Sequence, residues 1–349
     1  MGRWYVTLEA CKRALGEQAP SGERDKVLSQ KIEAASREIE GLTHRIFIPK
    51  TQIRNFEYPY RDMRRGWMIP LDEDLISVSA LTKDDDTATA IAAADYFLEP
   101  SNFGPPYDRI EIDLASTAFF SSNLTHQRAV RVTGSWGYSA GTEAAGELAE
   151  ADDGIETALD VTDSSLIGIG DTLLLTSEQM FVRAKSLLTT GTTLNDTLTA
   201  SKADTGVTVA SGAAIKDGEV ITLDAERMYV ESISGNDLTV IRGYDGSTLA
   251  AHTTGITVYA PRTLTVDRAV HGTTAAMHST ALAILRYVAP YDVVNLCEAI
   301  AIFEYMQSRG GRTGVVGSGE GAVEITGRTI AVLKDGVRKR YLRHAVGAV

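Results

Sequence analysis

Residues 29–49, SQKIEAASREIEGLTHRIFIP, decide the fold of this chain, because a helical pattern changes there into an extended one. Apolar residues recur at steps of three and four, which places one apolar stripe on a helix and charged residues on its other faces. The pattern then breaks, since Pro49 and the β-branched residues before it favour an extended chain. The sequence therefore predicts a long amphipathic helix that ends near His44. We expect its stripe to be buried, and the stripe consists of Leu28, Ile32, Ile39 and Leu42.

Two further helical segments accompany this one. The first is LEACKRAL (8–15), for which Thr7 is a suitable N-cap and Gly16 a suitable C-terminal stop. Helical periodicity returns only at Pro290, a residue that favours the first turn of a helix. The apolar stripe predicted for this late helix consists of Val293, Leu296, Ile300 and Phe303.

Between the helical segments the pattern is that of short β-strands. Residues 109–114 and 128–133 alternate polar and apolar side chains, as half-exposed strands do. Three consecutive acids at 84–86 suggest a metal site, but such side chains point in different directions and are more typical of a solvated hairpin loop. After Tyr138 the composition becomes rich in Thr, Ala, Gly and Asp, and we interpret residues 141–154 as an acidic linker.

An internal repeat follows. GDTLLLTSEQMFV at 170–182 matches GEVITLDAERMYV at 218–230, and LTVIRGYDGSTLAAH at 238–252 matches LTVDRAVHGTTAAMH at 264–278. Because the two offsets differ, 48 and 26 residues, we place one copy inside the other; two tandem modules that share strands are the alternative. The predicted fold is thus α+β, a small helical core with a few strands plus an inserted all-β domain built from a duplicated, nested module. The predicted boundaries are 1–139 and 287–349 for the core and 140–286 for the insertion, with modules at about 155–187 plus 262–286 and about 194–261.

Composition and charge exclude several classes of protein. A hydrophobic content of 44% and a charged content of 23% are ordinary for a globular chain, and no run reaches the roughly 18 apolar residues of a membrane span. Cys11 and Cys297 lie within helical patterns and are interpreted as buried thiols, which favours a reducing, cytoplasmic origin. The net charge of −12 argues against a protein that coats duplex DNA, although basic residues outnumber acidic ones from Arg309 onward.

The sequence contains no recognisable catalytic motif. It has neither a phosphate-binding loop nor a dinucleotide fingerprint, and neither a Cys-x-x-Cys pair nor a His-Glu-x-x-His segment. Glu178 and Glu226 occupy equivalent positions of the repeat, as do His278 and His252, so structural hydrogen bonds are favoured over glycosidic chemistry. We therefore predict that the chain is not an enzyme and that it uses no cofactor and no metal.

The order of its segments gives the chain a family resemblance. The segments are, in order, YVTLEACKRAL, AASREIEGLTHRIFIP, RNFEYP, WMIPLDEDLISV, DYFLEPSN, RIEID, VRVTGSWGYS and VAPYDVVNLCEAIAIF. In this order they resemble the head–tail connector (adaptor) family of tailed bacteriophages. The resemblance covers about 1–139 and 287–349. The insertion is a departure from the family's compact core, so the resemblance implies nothing about what the insertion does.

Membership of that family would imply a structural virion protein at the neck, assembled in the host cytoplasm. Such adaptors form a ring, here expected to be a dodecamer, that joins the portal of the DNA-filled capsid to the stopper or tail. The implied partners are the portal protein, stopper or tail proteins, further copies of this chain, and the major capsid protein through the insertion. Genome DNA would pass through the channel without sequence-specific binding, and no membrane would be involved. Another virion component, such as a tail-completion or baseplate protein, is the alternative.

The end of the chain provides the candidates for docking. We expect the Gly-rich segment 311–322 to order on a partner, residues 324–333 to form a strand or hairpin, and residues 337–346 to form a terminal helix. For the basic end, a solvated helix end, docking on the portal and contact with channel DNA are the alternatives. On the long helix, Arg37 and Glu40 are candidates for contacts between subunits. The candidates for portal docking are Arg312, Arg328, Arg338, Lys339, Arg340 and Arg343.

Overall fold

The fold joins α-helices to antiparallel β-sheets, so the predicted α+β class is confirmed. The computed structural model describes residues 2–16, 22–58, 66–83, 89–122, 125–310, 315–316, 323–324 and 327–343. Within these ranges the α-helices are α1 (Leu8–Leu15), α2 (Gly22–Thr43), α3 (Tyr291–Gly310) and α4 (Gly327–Tyr341). None of the described helices is long and apolar enough to cross a membrane.

The four helices pack into one hydrophobic core. The Thr7 side chain accepts a hydrogen bond from the Ala10 N–H, and Gly16 ends α1 in the left-handed region at φ 64°, so both predicted caps of α1 are confirmed. Both cysteines are buried free thiols, as predicted. Six of the eight predicted stripe residues are fully buried, and they are Leu28, Ile32, Ile39, Val293, Leu296 and Ile300. The remaining two, Leu42 and Phe303, are only partly buried against the same core.

The end of the chain differs from the prediction. Residues 324–333 are predicted as a strand or hairpin, yet α4 already begins at Gly327. The physical reason is tertiary: Ile330, Val337 and Tyr341 recur at helical spacing and all three are buried in the helical core. Only the short strands β17 (Val315–Val316) and β18 (Val323–Glu324) are described between α3 and α4, and the rest of the Gly-rich segment lies outside the described residues.

A six-stranded antiparallel sheet follows α2. Its strands are β1 (Lys50–Phe56), β2 (Met68–Lys83), β3 (Thr89–Ala90), β4 (Tyr96–Glu99), β5 (Tyr107–Ile112) and β6 (Val130–Trp136). The strand order is β1-β6-β2-β5-β4, and β3 pairs with β2. The alternation predicted for 128–133 is confirmed, because Val130 and Val132 are fully buried while Arg131 between them is exposed. Trp136 is fully buried in a separate hydrophobic core formed by this sheet.

The insertion forms a second antiparallel sheet of ten strands. Its first strand, β7 (Thr142–Glu147), corrects the prediction of an acidic linker at 141–154, and both Ala145 and Leu148 are buried. The linker interpretation is wrong because Ala145 and Leu148 face a core and Asp152 is buried against Arg268, which leaves mainly the acids between them exposed. The strands are β7 (Thr142–Glu147), β8 (Ala158–Asp160), β9 (Thr172–Leu175), β10 (Glu178–Thr193), β11 (Gly206–Thr208), β12 (Val220–Leu223), β13 (Glu226–Ser234), β14 (Asp237–Ile241), β15 (Thr257–Asp267) and β16 (Ala283–Tyr287).

The long strands β10 and β15 run through two separate hydrophobic cores. Barrel 1 follows the pairing order β7, β16, β9, the first half of β10, the second half of β15 and β8, and it closes where Leu148 bridges Val161. Barrel 2 follows the order second half of β10, first half of β15, β12, β13, β14 and β11, and it closes where Leu194 bridges Val209. The two barrels share one strand order. The nested duplication itself stays a prediction.

The insertion is fastened to the core at several points. Phe181 of barrel 1 belongs to the helical core, where its ring meets Trp4 edge to face at a centroid distance of 5.5 Å. Leu8 at the start of α1 donates its backbone N–H to the Ile169 carbonyl at 2.9 Å. The loop at Gly272 packs so closely on β1 that a Cβ there would lie 2.1 Å from the Thr51 carbonyl oxygen. Barrel 1 therefore packs directly against the helical core and against β1.

Candidate interaction surfaces and buried charge clusters

α4 presents a row of cations to solvent. Arg328, Arg338 and Lys339 are exposed, and Arg328 lies ten residues, about three turns, before the adjacent pair, which places all three on one side of the helix. Lys339 also pairs with Asp335 of the preceding turn at 2.6 Å. We call these three residues the α4 cationic face. Arg340 is also exposed but donates to Asp292 of α3 at 2.8 Å, which anchors it to the core. Arg312, the remaining candidate from the Gly-rich segment, lies outside the described residues.

Arg343 does not belong to this surface, which corrects its prediction as a docking residue. It is buried, and its guanidinium donates to the Leu71 carbonyl at 3.0 Å and lies 3.5 Å from Asp74. The chain turns back after α4, so the Arg343 N–H bonds the Thr43 carbonyl at the end of α2. Burial lowers the pKa of Arg343 despite the nearby Asp74 carboxylate. Arg343 therefore ties the end of the chain to β2.

Arg37 and Glu40 of α2 are likewise engaged within the chain. Arg37 donates to the Arg3 carbonyl at 2.6 Å and pairs with Glu40 at 2.7 Å. Glu40 also accepts from the Tyr5 hydroxyl at 2.7 Å. The charged face that we predicted for neighbouring subunits thus binds the chain's own N-terminal segment. The sequence signal for this intramolecular contact was the apolar run around Tyr5, but such a run is equally typical of a segment that leads into α1.

Glu178 forms a buried charge cluster in barrel 1. Its carboxylate is fully buried and accepts from the Arg268 guanidinium at 2.7 and 3.1 Å. The backbone N–H groups of Ala269 and Ala276 donate to it at 3.0 and 2.9 Å, and His278 Nε2 lies 3.1 Å away. Both oxygens are therefore occupied by donors, which agrees with a structural role.

Glu226 forms the equivalent cluster in barrel 2. Arg242 donates to it at 2.7 and 2.8 Å, the N–H groups of Gly243 and Ala250 at 3.1 and 3.0 Å, and His252 Nε2 lies 3.0 Å away. Burial alone would raise the pKa of Glu226, but these donors, led by Arg242, lower it to about 2. A carboxylate that is fully buried and fully bonded holds loops together and leaves no oxygen for a substrate.

A third buried pair joins the two barrels and was missed by sequence reasoning. Glu219, the residue before β12, accepts from Arg262 at 2.7 Å and from the Ser164 hydroxyl of barrel 1 at 2.8 Å. The repeat aligns Glu219 with Asp171 of barrel 1, and that alignment was the available signal. Asp171 lies beside α1, and burial raises its pKa to about 6 although the Gly168 N–H and Arg286 act in the opposite direction.

We expect Asp171→Asn to stabilise the protein at pH 8 by about 2–3 kcal/mol, since a pKa of about 6 against 3.8 penalises the ionised form. Wild-type stability should fall as pH rises from about 4 to 6, because the folded state binds the proton more tightly, and then level off. The variant should lack this slope, while its amide oxygen still accepts from Gly168. Urea unfolding at pH 4, 5, 6 and 8 measures both, with exposed Asp217→Asn as the control. Equal pH slopes in Asp171→Asn and wild type would contradict the expectation.

Comparison with known proteins leaves the family open, since no family model, curated protein or solved structure matches this chain. Among the described residues, no three His, Cys, Asp or Glu side chains gather in a way that could hold a metal ion. The acids at 84–86, for which a loop was predicted, lie outside the described residues. The functional argument therefore depends on the helical core, the α4 cationic face and the distribution of charge.

Proposed function

We propose that this chain is a structural virion protein, a head–tail connector adaptor that forms a ring between the portal of a DNA-filled capsid and the stopper or tail. The observation that carries the proposal is the discontinuous core. Helices from both ends of the chain, α1 with α2 and α3 with α4, pack into a single core beside the β1–β6 sheet, in the segment order that the resemblance implies. In this proposal the protein has no catalytic role.

The distribution of charge supports a ring in which the core is central and the barrels are peripheral. Residues 140–286 contain 20 acidic and nine basic residues, a net charge of −11, which leaves the core at −1. Identical modules of that charge repel one another and repel DNA, so a ring that spaces them at its outside is favoured. The nearly neutral core carries no such penalty when copies meet.

The α4 cationic face is the part of the core that suits an acidic partner. Arg328, Arg338 and Lys339 point to solvent from a helix whose opposite side is held in the core by Ile330 and Val337. A rigid helix loses little conformational entropy on docking, so its cations are well placed for a protein partner such as the portal. In the proposed ring, one such face per copy makes a belt of positive charge.

The test is assembly with the portal protein encoded in the same genome. We expect the purified chain to form a ring, alone or on the portal, in sedimentation and electron microscopy. Arg338→Glu with Lys339→Glu should weaken portal binding at least tenfold, because two attractive charges become repulsive. The matched control is Lys202→Glu with Lys216→Glu, two exposed lysines of barrel 2. A chain that stays monomeric with its portal would overturn the proposal, and a position at the baseplate in imaged particles would favour the alternative virion component.

A further inference from the structure

The cleft between α1 and the two barrels has the size and lining of a ligand site. Its volume is about 390 Å³, within the range of small-molecule sites, and three separate units contribute to it. α1 contributes Lys12 and Arg13, barrel 1 contributes Lys185 and Arg286, and barrel 2 contributes Arg227 with two tyrosines. None of these residues has a part in the proposed assembly with the portal.

Cations exceed acids in this lining, and the acids are already engaged. Five lining residues are Lys or Arg, against Glu9, Asp25 and Asp245. Asp25 pairs with Lys12 at 3.0 Å, and Asp245 pairs with Arg227 at 3.3 Å. Glu9 accepts the Ile169 N–H at 2.8 Å. Within the lining, cations therefore outnumber acids by two, while Glu143 and Asp171, just outside it, lie 2.8 and 3.9 Å from Arg286.

Three cations of the cleft have unused donors. Among the described residues, no carboxylate lies within ion-pair distance of Arg13, which is exposed at the last turn of α1. Lys185 donates to the Ser164 and Ile167 carbonyls at 2.8 and 2.7 Å, which leaves one N–H over. Arg286 pairs through Nη2 with Glu143 and through Nη1 with Asp171 at 3.9 Å, but its buried Nε has no hydrogen-bond partner. Such donors suit an anion that brings several acceptor oxygens.

An aromatic wall completes the cleft. The rings of Tyr229 and Tyr244 stack at a centroid distance of 5.2 Å and an interplanar angle of 29°. Both tyrosines are only half-buried and both line the cleft. Burial and the nearby Asp245 raise the pKa of the Tyr244 hydroxyl, and Arg13 lies close enough to act in the opposite direction. An aromatic face and an unpaired cation therefore lie side by side, the pair of groups that recognises a base and its phosphate.

We propose that this cleft binds a nucleotide, with the phosphate on Arg13 and neighbouring cations and the base against the Tyr229–Tyr244 pair. Binding would bridge α1 and barrel 2, so the ligand would fasten the outer barrel to the helical core. The inference stands apart from the ring, because it uses no residue of the α4 cationic face.

The test is titration calorimetry of the full chain with adenosine monophosphate, adenosine and inorganic phosphate. We expect the monophosphate to bind more tightly than either fragment, and more weakly as salt rises. Arg13→Gln should weaken it about tenfold or more, since a charge-assisted hydrogen bond is lost. Tyr244→Leu should weaken binding of the monophosphate about tenfold and leave the affinity for inorganic phosphate unchanged. Lys202→Gln, an exposed lysine of barrel 2 outside the cleft, is the matched control.

Hydrogen exchange provides a second readout that does not depend on affinity. Saturating adenosine monophosphate should slow exchange in the last turn of α1 and around Tyr244, and circular dichroism should show both variants folded. The proposal would be overturned if millimolar adenosine monophosphate gave no heat of binding and no protection from hydrogen exchange. Phosphate that binds as tightly as the monophosphate, or an Arg13→Gln variant that matches the Lys202→Gln control, would overturn it as well.

Discussion

Glu226→Ala is expected to destabilise barrel 2 by about 3–5 kcal/mol, the cost of leaving a buried guanidinium without its carboxylate. Glu226 is fully buried, and its removal leaves Arg242, His252 and two backbone N–H groups without their acceptor. These groups hold the loop after β14 and the segment around Ala250 against β13. We therefore expect the loops of barrel 2 to open before any other part of the molecule.

Chemical denaturation followed by proteolysis with mass spectrometry measures this effect and locates it. Asp224→Ala is the control, because Asp224 also contacts His252, at 3.1 Å, but its side chain is 63% exposed. We expect that control to lose less than about 1 kcal/mol. Glu178→Ala should produce the same opening in barrel 1. A Glu226→Ala variant as stable as Asp224→Ala would show that the cluster does not hold the loops.

The same cluster predicts a loss of stability in strong acid. The pKa of Glu226 is about 2 in the folded chain, against an ordinary value of 4.5, so its ionised form stabilises the fold. This contribution is complete above about pH 4.5 and disappears as pH falls through about 2. The direction is opposite to that expected for Asp171, so acid titration of the two variants separates the two carboxylates.

Gly272→Ala is expected to loosen barrel 1 from the β1–β6 sheet at a cost of about 2–4 kcal/mol. Gly272 has φ 81°, which L-residues adopt only with strain, and its added Cβ would lie 2.1 Å from the Thr51 carbonyl oxygen. A backbone oxygen of a paired strand has little room to move. The result should be faster hydrogen exchange in β1 and in the loop at 270–272, together with a lower midpoint of unfolding.

Gly191→Ala is the matched control for this substitution. Gly191 has nearly the same backbone conformation, φ 78°, but nothing lies within 4 Å of an added Cβ. We expect Gly191→Ala to lower the free energy of unfolding by about 1 kcal/mol, because only the conformational strain acts there. The difference between the two variants measures the close approach of barrel 1 to β1. If both variants behave alike, the contact with Thr51 contributes nothing.

Helices α1, α2 and α3 were predictable because each has one apolar face, whereas the first part of α4 was predicted as a strand or hairpin. The stripe from Leu28 to Ile39 repeats at helical spacing, and a single face of such a helix can be buried. The caps of α1 were equally local, since Thr7 and Gly16 act on the helix end that they flank. The alternation of polar and apolar residues in β6 was predictable for the same reason, because it depends only on neighbouring residues. Caps, apolar stripes and strand alternation depend on neighbouring residues, so they can be predicted without knowing what the element packs against.

Features that depend on distant partners could not be read in this way. Nothing near Arg343 indicates that its guanidinium reaches Asp74 and the Leu71 carbonyl. Residues 141–154 have the composition of a linker, and only the closure of barrel 1 makes a strand of them. Phe181 belongs to the repeat by sequence, yet it packs in the helical core against Trp4. Tertiary contact decided each of these positions.

The path of β10 and β15 between the barrels sets an order of assembly on the ribosome. Barrel 2 lies between the two parts of barrel 1 in the chain, and barrel 1 lies between the two parts of the helical core. As the nascent chain emerges, barrel 2 can close once the first half of β15 is made, whereas barrel 1 waits for β16, whose Leu285 pairs with Ala144. The stripe of α2 waits longest, until α3 is synthesised. The molecule is thus expected to fold from the middle of its chain outward, with its first helices exposed until the last ones arrive.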